Sequence, residues 1–188
     1  MDRRVEKSKK AITDALIKLM TEKDFEKITI NEIADLANVN RGTVYFHFSD
    51  KYDLLNYCIE THLNELVESC HSGEDIDNFS SKDSLLRTFE YLEQNAFFYS
   101  NMLNNKSIPT FRDRLMSVAL KSIDDTVDMD GNNSTMNKEV LVQFVASAAV
   151  GLMEWWITNS MPYPAEEMVT QMLLLFERVQ IFESSQYK

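Results

Sequence analysis

A capped helix start followed by a tight turn constrains the fold of this chain more than any other feature. Thr29 and Glu32 form a capping-box pair, in which each side chain can satisfy a free backbone N–H of the other residue, so a helix is predicted to begin at Ile30. Residues 38–40, Asn-Val-Asn, supply turn chemistry, and Asn40 is the predicted N-cap of another short helix. Two short helices therefore meet at a tight turn.

Apolar residues recur at three- and four-residue spacing through most of the remaining chain, which is typical of amphipathic helices. Four Gly and three Pro among 188 residues, together with 44% hydrophobic residues, favour a compact, helix-rich fold. We therefore predict an all-α protein in which a three-helix helix-turn-helix domain, residues 1–49, is joined to a larger helical domain, residues 50–188. A fourth helix is expected to connect them without a flexible joint.

Charge is distributed unevenly between the two parts. Residues 1–51 contain ten Lys and Arg against nine Asp and Glu, a balance of +1. Residues 52–188 contain nine Lys and Arg against 21 Asp and Glu, a balance of −12, and the whole chain has a net charge of −11. The two parts should therefore meet different partners.

The second short helix presents an unusual set of side chains. Gly42 weakens a helix by about 1 kcal/mol relative to Ala, so a reason other than helix propensity is needed, and the close approach of another molecule is one. Arg41 and Thr43 offer donors at the helix start, where unpaired N–H groups also favour an anion, and Tyr45 and His47 add donors one turn later. Phosphate groups and base edges match these donors.

Residues 28–55, ITINEIADLANVNRGTVYFHFSDKYDLL, resemble the helix-turn-helix of the TetR family of transcriptional regulators. They follow the pattern T-x-x-x-I-A-x-x-A-x-V-x-x-G-T-x-Y-x-H-F-x-x-K-x-x-L almost position by position. An ordered set of this size is hard to obtain by chance. The matching residues include Thr29, Ala34, Ala37, Val39, Gly42, Thr43, Tyr45, His47, Phe48, Lys51 and Leu54.

The resemblance implies a DNA-binding domain whose second short helix is the recognition helix and enters the major groove. Thr29 and Lys51 resemble the phosphate contacts of the family. Tyr45, and often the Thr43 hydroxyl and His47, serve similarly or reach the bases.

Two positions of the recognition helix vary within the family and are candidates for reading the DNA sequence. An Arg at position 41 can form two hydrogen bonds to guanine, at O6 and N7. Phe46 either presses on a thymine methyl or packs sideways on the domain, and the first is preferred because a bare aromatic side chain on a small domain is unusual. With Gly42, the predicted DNA-contacting set contains Thr29, Arg41, Gly42, Thr43, Tyr45, Phe46, His47 and Lys51.

The last two long helices are predicted to form a homodimer. In residues 140–157 the polar side chains of Gln143, Ser147 and Glu154 fall on one narrow stripe, so this helix is expected to be buried almost all round. Two such helices from each of two chains would form a four-helix bundle, and TetR-like regulators are homodimers built in this way. The predicted interface residues are Ala148, Leu152, Trp155, Met168, Met172, Leu175 and Phe176.

Aromatic and Met side chains of the larger domain suggest an adaptable apolar cavity, in the region where the family usually binds small inducers. Core packing is the alternative interpretation of each of them, and the sequence does not identify an effector. The predicted ligand-binding residues are Phe89, Glu93, Phe97, Phe98, Met102, Met116 and Trp156.

These features predict a dimeric transcriptional regulator, a repressor that a small-molecule ligand releases from an operator in double-stranded DNA. The alternative is a metal- or redox-responsive regulator that uses Cys58, His62, Cys70 and His71, because the first two lie four residues apart on one helical face. Against this alternative, the two pairs would have to meet across one continuous helix.

Catalysis is not expected, because no nucleophile and base with supporting spacing, no phosphate loop and no paired acids are found. No cofactor is predicted. The N-terminal segment has no signal-peptide core, and no apolar segment reaches the roughly 20 residues that cross a bilayer. The protein is therefore expected in the cytoplasm, without a membrane span.

Overall fold

The structure is a computed structural model that describes residues 3–71, 81–104, 110–127, 129–130 and 133–178. Regular structure within these ranges is helical, which confirms the all-α prediction, and a 3-10 turn lies at Phe25–Lys27. The helices are α1 (Arg3–Glu22), α2 (Ile30–Leu36), α3 (Arg41–His47), α4 (Lys51–His71), α5 (Ser81–Gln94), α6 (Ala96–Asn104), α7 (Thr110–Thr126), α8 (Lys138–Thr158) and α9 (Ala165–Arg178).

Helices α1, α2 and α3 pack around a small apolar core. Ile12 and Leu16 of α1 lie four residues apart, hence on one face of the helix, and both are fully buried. Ile33 of α2 and Val44 of α3 are fully buried against the same core. Burying a side chain of this size contributes about 1.5–3 kcal/mol, so this core fixes the angle between α2 and α3.

The turn between α2 and α3 has the chemistry that the sequence predicts. Asn38 has φ of 52°, a left-handed conformation that Asn tolerates better than most residues. Asn40 is the N-cap residue of α3, but its side chain makes no capping hydrogen bond. Its backbone carbonyl accepts the N–H of Thr43 at 2.8 Å instead. The two short helices are therefore held by backbone hydrogen bonds and by the core beneath them.

Helix α4 runs from the helix-turn-helix into the larger part of the chain. Its start is capped by Asp50, whose Oδ1 accepts the backbone N–H groups of Tyr52 and Asp53, both at 2.8 Å. Leu54 is buried near α1, and Leu63 is buried further along the helix. The buried core is continuous along α4, and the proposed domain boundary between residues 49 and 50 stays a prediction.

Helices α5 to α9 enclose an aromatic core. Phe89 of α5 and Trp156 of α8 are fully buried, with ring centres 5.2 Å apart. Tyr99 of α6 and Phe111 of α7 are also fully buried, with ring centres 5.9 Å apart. Helix α8 packs mainly on α7, whereas α9 packs mainly on α5. This arrangement leaves the outer sides of α8 and α9 next to each other at the surface.

Within a single subunit α8 is not buried almost all round, and its burial by a second chain stays a prediction. One face is buried, with Val150 and Trp156 fully enclosed. The other face is apolar and exposed, with Val140 67%, Phe144 55% and Trp155 44% exposed. The composition of the helix cannot separate a face that packs inside the subunit from a face that lies outside it.

Helix α8 is also long and apolar enough to cross a bilayer, the one such helix within the described ranges. It has 21 residues, and its most apolar window has a mean hydropathy of 1.6. Length and composition alone decide this test, and the core helix of a folded domain passes it as well. Helix α8 packs on α6 and α7, as the core helix of a folded domain does.

Candidate nucleic-acid interface

The outer face of α3 carries large side chains that the subunit leaves exposed. Tyr45 is 46% and Phe46 is 75% exposed, and Arg41 beside them is exposed as well. On the opposite face Val44 is buried in the core, so the subunit holds this helix from one side only. The exposed side therefore presents a cation, a phenol hydroxyl and an aromatic ring.

Arg41 and Tyr45 contact each other on this face. Arg41 Nη2 donates a hydrogen bond to Tyr45 Oη at 3.2 Å, and the guanidinium carbon lies 5.3 Å from the centre of the tyrosine ring. Their four-residue spacing makes them neighbours on the helix surface. The bond uses one of the five N–H donors of the guanidinium, so Arg41 can still donate to a further acceptor.

Gly42 lies on the same surface, and nothing in the subunit explains a glycine there. A Cβ atom built at Gly42 meets no other atom within 4 Å, and its backbone does not have the positive φ that favours glycine. Thr43 beside it is half-buried. Neither packing nor backbone conformation within the subunit therefore requires a residue without a side chain at this position.

His47, at the end of α3, is held against α1. Its Nε2 lies 2.7 Å from the Ser8 hydroxyl, and its ring meets that of Phe46 edge to face, with centres 5.0 Å apart. Burial lowers the pKa of His47 below its usual 6.5, and the charge of Lys9 lowers it further. His47 is therefore uncharged at neutral pH. Its partner Ser8 was not predicted, because 39 residues separate the two and no local pattern links them.

Thr29 is exposed at the start of α2 and forms the predicted capping box. Its Oγ1 accepts the backbone N–H of Glu32 at 3.4 Å, and the Glu32 carboxylate accepts the backbone N–H of Thr29 at 3.0 Å. The same carboxylate forms an ion pair with Lys23. The Lys23 ammonium, the Thr29 hydroxyl and the Thr29 backbone N–H all donate to this carboxylate, and they lower the pKa of Glu32 from 4.5 to about 2. The end of α2 that would face a phosphate is thus rigidly capped.

The ammonium of Lys51 forms hydrogen bonds within the protein. Its Nζ donates to the backbone carbonyls of Phe25 at 3.0 Å, Glu26 at 2.8 Å and Ile28 at 3.2 Å. The side chain is only 15% exposed. The phosphate contact that the family resemblance implies for Lys51 stays a prediction, and the structure gives this ammonium a second role that competes with it.

The predicted ligand-binding residues do not form one group. Phe89, Phe98, Met102 and Trp156 are buried, and Met116 packs against the same core. In contrast, Phe97 is 56% exposed and Glu93 is exposed, so these two lie on the outside of the subunit. The side chains of consecutive residues on a helix point about 100° apart, which explains why Phe97 and Phe98 separate.

The predicted dimer residues also fall into two groups. Ala148, Trp155, Leu175 and Phe176 are exposed, and Leu152 is half-buried beside them. Met168 and Met172 are instead buried within the subunit, since α9 packs this side on α5. Met168 also lines the groove between α8 and α9, and a place for these two residues in the interface stays a prediction.

Two apolar grooves lie along this outer side of the bundle. One has a volume of about 390 Å³ and runs between α8 and α9, where it is lined by Leu152, Trp155, Tyr163 and Leu175 among others. The other, of about 580 Å³, lies further along α8 and is lined in part by Val140 and Phe144. Val140 and Phe144 are not in the predicted interface set, although they precede Ala148 by eight and four residues and so lie on the same face of α8.

Cys58 and Cys70, two of the residues of the metal- or redox-responsive alternative, lie far apart on α4. Cys58 is buried, and burial raises the pKa of its thiol to about 12. Cys70 lies twelve residues further along α4, which is roughly 18 Å in a helix, and its Sγ lies 2.9 Å from the Thr88 hydroxyl. The side chain of His71 is outside the described residues. Within the described ranges no group of three metal-binding side chains is found.

His62 should make stability depend on pH. Its ring stacks on Phe98 with centres 3.8 Å apart, and its Nδ1 lies 3.2 Å from the Tyr91 hydroxyl. Burial lowers the pKa of His62 below 6.5, opposed by the carboxylates of Glu65 and Asp14. The unfolded chain then binds a proton that the folded state does not, so the free energy of unfolding falls as pH drops below about 6.5.

His62→Gln is therefore expected to flatten the fall in unfolding free energy as the pH drops below about 6.5. Urea denaturation at a series of pH values measures it, and the slope, not the absolute stability, is the relevant quantity because the variant also loses a ring contact. His47 contributes in the same direction, so part of the slope should remain. Parallel curves for the two proteins would contradict the assignment.

Models of known protein families match both parts of this chain. Residues 12–58 match the family described as bacterial regulatory proteins, tetR family. Residues 79–178, more than half of the 188 residues, match the family described as a transcriptional regulator C-terminal region. The two matches together cover the helix-turn-helix and the helices from α5 to α9.

Several bacterial regulators have related sequences. YxbF of Bacillus subtilis, an HTH-type transcriptional regulator, is 23% identical over 180 residues, covering 92% of this chain and 45% of YxbF. DhaS of Lactococcus lactis, named as activator of the dhaKLM operon, is 24% identical over 185 residues, covering 94% of this chain and 93% of DhaS. The probable acrEF/envCD operon repressor of Escherichia coli is 31% identical over 90 residues, covering 46% of this chain and 41% of the repressor.

The chain thus spans about half the length of two of these relatives and nearly all of the third. The solved structure of the dihydroxyacetone kinase operon activator DhaS has a TM-score of 0.66 and is 22% identical, covering 94% of this chain and 98% of that structure. It has the same fold.

Proposed function

Because the chain belongs to the TetR family of bacterial transcriptional regulators, we propose that it binds an operator as a homodimer and represses transcription until a small-molecule effector releases it. The observation that carries this proposal is the exposed face of α3, where Arg41, Tyr45 and Phe46 surround a glycine that the subunit does not need. No catalytic step is part of the proposal, since binding alone accounts for the function.

In the proposed complex α3 enters the major groove of double-stranded DNA. Arg41 donates to base edges, Phe46 contacts a base through its ring, and the absent side chain of Gly42 lets the helix approach closely. Tyr45, Thr43 and the N-terminus of α2 contact phosphates, with Thr29 at that end and His47 at the edge of the surface. The subunits of a dimer would place the two copies of α3 about 34–36 Å apart, or a multiple, and so read a near-palindromic operator.

The exposed apolar side of α8 and α9 supports the homodimer. Trp155, Leu175 and Phe176 are 44%, 53% and 38% exposed, and the groove between the two helices separates them. A contiguous apolar patch of large side chains is unusual on a lone subunit and typical of an interface. A second copy turned by a twofold axis would cover it with the same side of its own helices and form a four-helix bundle.

The proposed release by an effector uses α4 as the moving part. This helix begins beside α3 and passes between α1, α5 and α7, so its tilt relates the regulatory core to the recognition surface. A ligand that binds better to one tilt shifts the population toward it, by no more than its difference in affinity for the two states. The buried cluster of Phe89, Phe98, Met102 and Trp156 is the proposed place for the effector to open a cavity.

The direction of regulation is part of the proposal, because relatives differ in it. The Lactococcus lactis relative is named an activator and the Escherichia coli relative a repressor. A dimer that occupies its operator without ligand blocks the polymerase, which favours repression, and the protein would act in the cytoplasm on chromosomal DNA. Deleting the gene should then raise transcription from the operator that the purified protein binds, and a fall would show activation instead.

Arg41→Ala and Tyr45→Ala should have different effects on DNA binding. Loss of Tyr45 removes a phosphate contact, so affinity should fall by on the order of tenfold for every duplex. Loss of Arg41 removes a base contact, so the preference among sequences should shrink by about 1–3 kcal/mol at the affected base pair. Fluorescence anisotropy with the operator and a set of single-base variants measures both. Unchanged affinity of both proteins for all duplexes would contradict the proposed surface.

A further inference from the structure

The connection between α8 and α9, residues 159–164, has an unusual backbone. Ser160 and Met161 have φ of 62° and 52°, in the left-handed region that residues with a side chain disfavour. Met161 also precedes Pro162, and the residue before a proline favours an extended conformation with negative φ. Such a conformation persists only where surrounding contacts enforce it. Contacts from the rest of the subunit must therefore hold the α8–α9 connection in place.

Two backbone hydrogen bonds at the end of α8 belong to this set of contacts. The N–H of Met161 donates to the carbonyl of Trp156 at 2.8 Å. The N–H of Ser160 donates to the carbonyl of Ile157 at 3.1 Å. Together they form the Schellman pattern, which closes a helix and usually has glycine at the position that Ser160 occupies. Because serine adopts this conformation less readily than glycine, the ending needs further support.

The side chain of Trp156 supplies this support. Its indole Nε1 donates to the backbone carbonyl of Tyr163 at 2.8 Å, and the ring is fully buried. A buried indole N–H needs an acceptor, so the loss of this bond would leave a donor unsatisfied inside the protein. Trp156 thus holds the α8–α9 connection at two points, Met161 through its backbone and Tyr163 through its ring. Helix α9 begins at Ala165, directly after the second point.

Tyr163 belongs to the exposed apolar side of the bundle. It is 47% exposed, and its ring lies at 29° to that of Trp155, with centres 6.4 Å apart. Both rings line the groove between α8 and α9. On the inner side, the ring centre of Trp156 lies 5.2 Å from that of Phe89. One side chain therefore joins the buried aromatic core to the proposed dimer surface.

We propose that Trp156 is a positioning residue for the dimer. By holding the α8–α9 connection in its left-handed conformation, it places Tyr163 and Trp155 where a second copy of the chain packs on them. This role rests on the proposed homodimer and identifies the residue that shapes the interface from inside the subunit. It also gives an effector a second route of action, because a molecule that displaces the Trp156 ring beside Phe89 would release the connection and weaken the dimer.

The first test compares Trp156→Phe with Tyr99→Phe by thermal denaturation and sedimentation equilibrium. Tyr99 is the matched control, because it is a fully buried aromatic residue whose hydroxyl also donates to a backbone carbonyl, that of His62 at 3.0 Å. Both variants should unfold at a lower temperature, since each loses a buried hydrogen bond. Only Trp156→Phe should raise the dimer Kd, by on the order of 10- to 100-fold, because each dimer contains the connection twice. An unchanged dimer Kd of Trp156→Phe, or an equal rise for Tyr99→Phe, would overturn the proposal.

The second test separates the conformation of the connection from the packing that Trp156→Phe also loses. Ser160 is exposed, and glycine adopts its left-handed conformation more readily than serine. Ser160→Gly added to Trp156→Phe should therefore lower the dimer Kd again, by about threefold or more, whereas Ser160→Gly alone should leave the dimer Kd of the wild type unchanged. No recovery in the double variant would show that Trp156 acts through packing alone, and the proposed role would fail.

Hydrogen exchange of the indole N–H, followed by NMR in the wild-type protein, decides if Trp156→Phe does not fold. The sequence contains two tryptophans, so the indole signal that Trp155→Phe retains belongs to Trp156. It should exchange at least about 100-fold more slowly than the indole of free tryptophan, because it is buried and hydrogen-bonded. Exchange at the free rate would refute the proposed role. If the wild-type protein is a single subunit, the proposed homodimer fails, and the exchange rate still shows whether Trp156 holds the connection.

Discussion

Replacing Gly42 with Leu is expected to weaken operator binding by on the order of 100-fold or more, about 3 kcal/mol, without loss of fold. The subunit has room for the side chain, because a Cβ at this position meets nothing within 4 Å. The added atoms project from the exposed face of α3, where the DNA surface must approach. The loss of affinity therefore comes from steric exclusion of the partner and not from damage to the domain.

Substitutions of Gly42 are expected to change stability and DNA affinity in opposite directions. Glycine within a helix is less favourable than Ala by roughly 0.5–1 kcal/mol, so Gly42→Ala should raise the thermal midpoint slightly while it weakens DNA binding. Few substitutions stabilise a domain and impair its function by the same atoms. Anisotropy titrations and thermal denaturation of Gly42→Ala and Gly42→Leu provide both quantities.

Ser117→Leu is the matched control, because it adds a similar side chain to an exposed helix surface on α7, away from the proposed DNA interface. Its DNA affinity should equal that of the wild type. Full DNA affinity of Gly42→Leu would show that α3 does not lie against DNA in the proposed way. Unfolding of that variant would contradict the open space seen around Gly42.

The second large effect is expected from Trp155→Glu, which should convert the dimer into single subunits. Trp155 is 44% exposed on α8, stacks on Tyr163 with ring centres 6.4 Å apart, and lines the groove beside α9. A charge placed without a partner at the centre of an apolar interface costs several kcal/mol, so the dimer Kd should rise by on the order of 100- to 1,000-fold. Sedimentation equilibrium measures this change.

Operator affinity should fall when the dimer is lost, because a single subunit can occupy only one half-site. Phe97→Glu is the control: Phe97 is an aromatic residue of similar exposure, 56%, on α6 and outside the proposed interface. It should remain a dimer. A dimeric Trp155→Glu protein, or dissociation caused by Phe97→Glu, would place the interface elsewhere.

The helix-turn-helix could be predicted in detail because its signals are local. The capping box joins Thr29 and Glu32, three residues apart, and α2 begins at Ile30 as predicted. The turn before α3 depends on residues that follow one another in the chain. Such contacts form between near neighbours whatever the rest of the fold does, so the sequence alone contains the information that specifies them.

The partners of the polar side chains could not be predicted, because they lie far away in the sequence. Lys51 carries a positive charge at a position where the family contacts phosphate, and nothing near it shows that three carbonyls from residues 25–28 meet it first. The contact of His47 with Ser8 of α1 could not be predicted either, since only the packing of the helices brings the two residues together. A sequence shows which groups can donate, but only the fold determines which acceptors they reach.

The apolar faces show a related limit. Met172 and Leu175 are both apolar and three residues apart on α9, yet Met172 is 2% and Leu175 is 53% exposed. The packing of α9 on α5 decides which of them is buried. The periodicity of a sequence identifies the apolar positions of a helix. It does not distinguish a face that is buried within one subunit from a face that is exposed on that subunit.

Selection of duplexes from a random pool by the wild-type protein would show whether a dimer reads DNA through α3. We expect the retained sequences to contain two inverted half-sites with centres about 10 base pairs, or a multiple, apart, one for each copy of α3. Retention should weaken steeply as salt is raised, since phosphate contacts release counterions. Retention of no double-stranded DNA at low salt, or enrichment of a single unpaired half-site, would contradict a dimer that reads DNA through this surface.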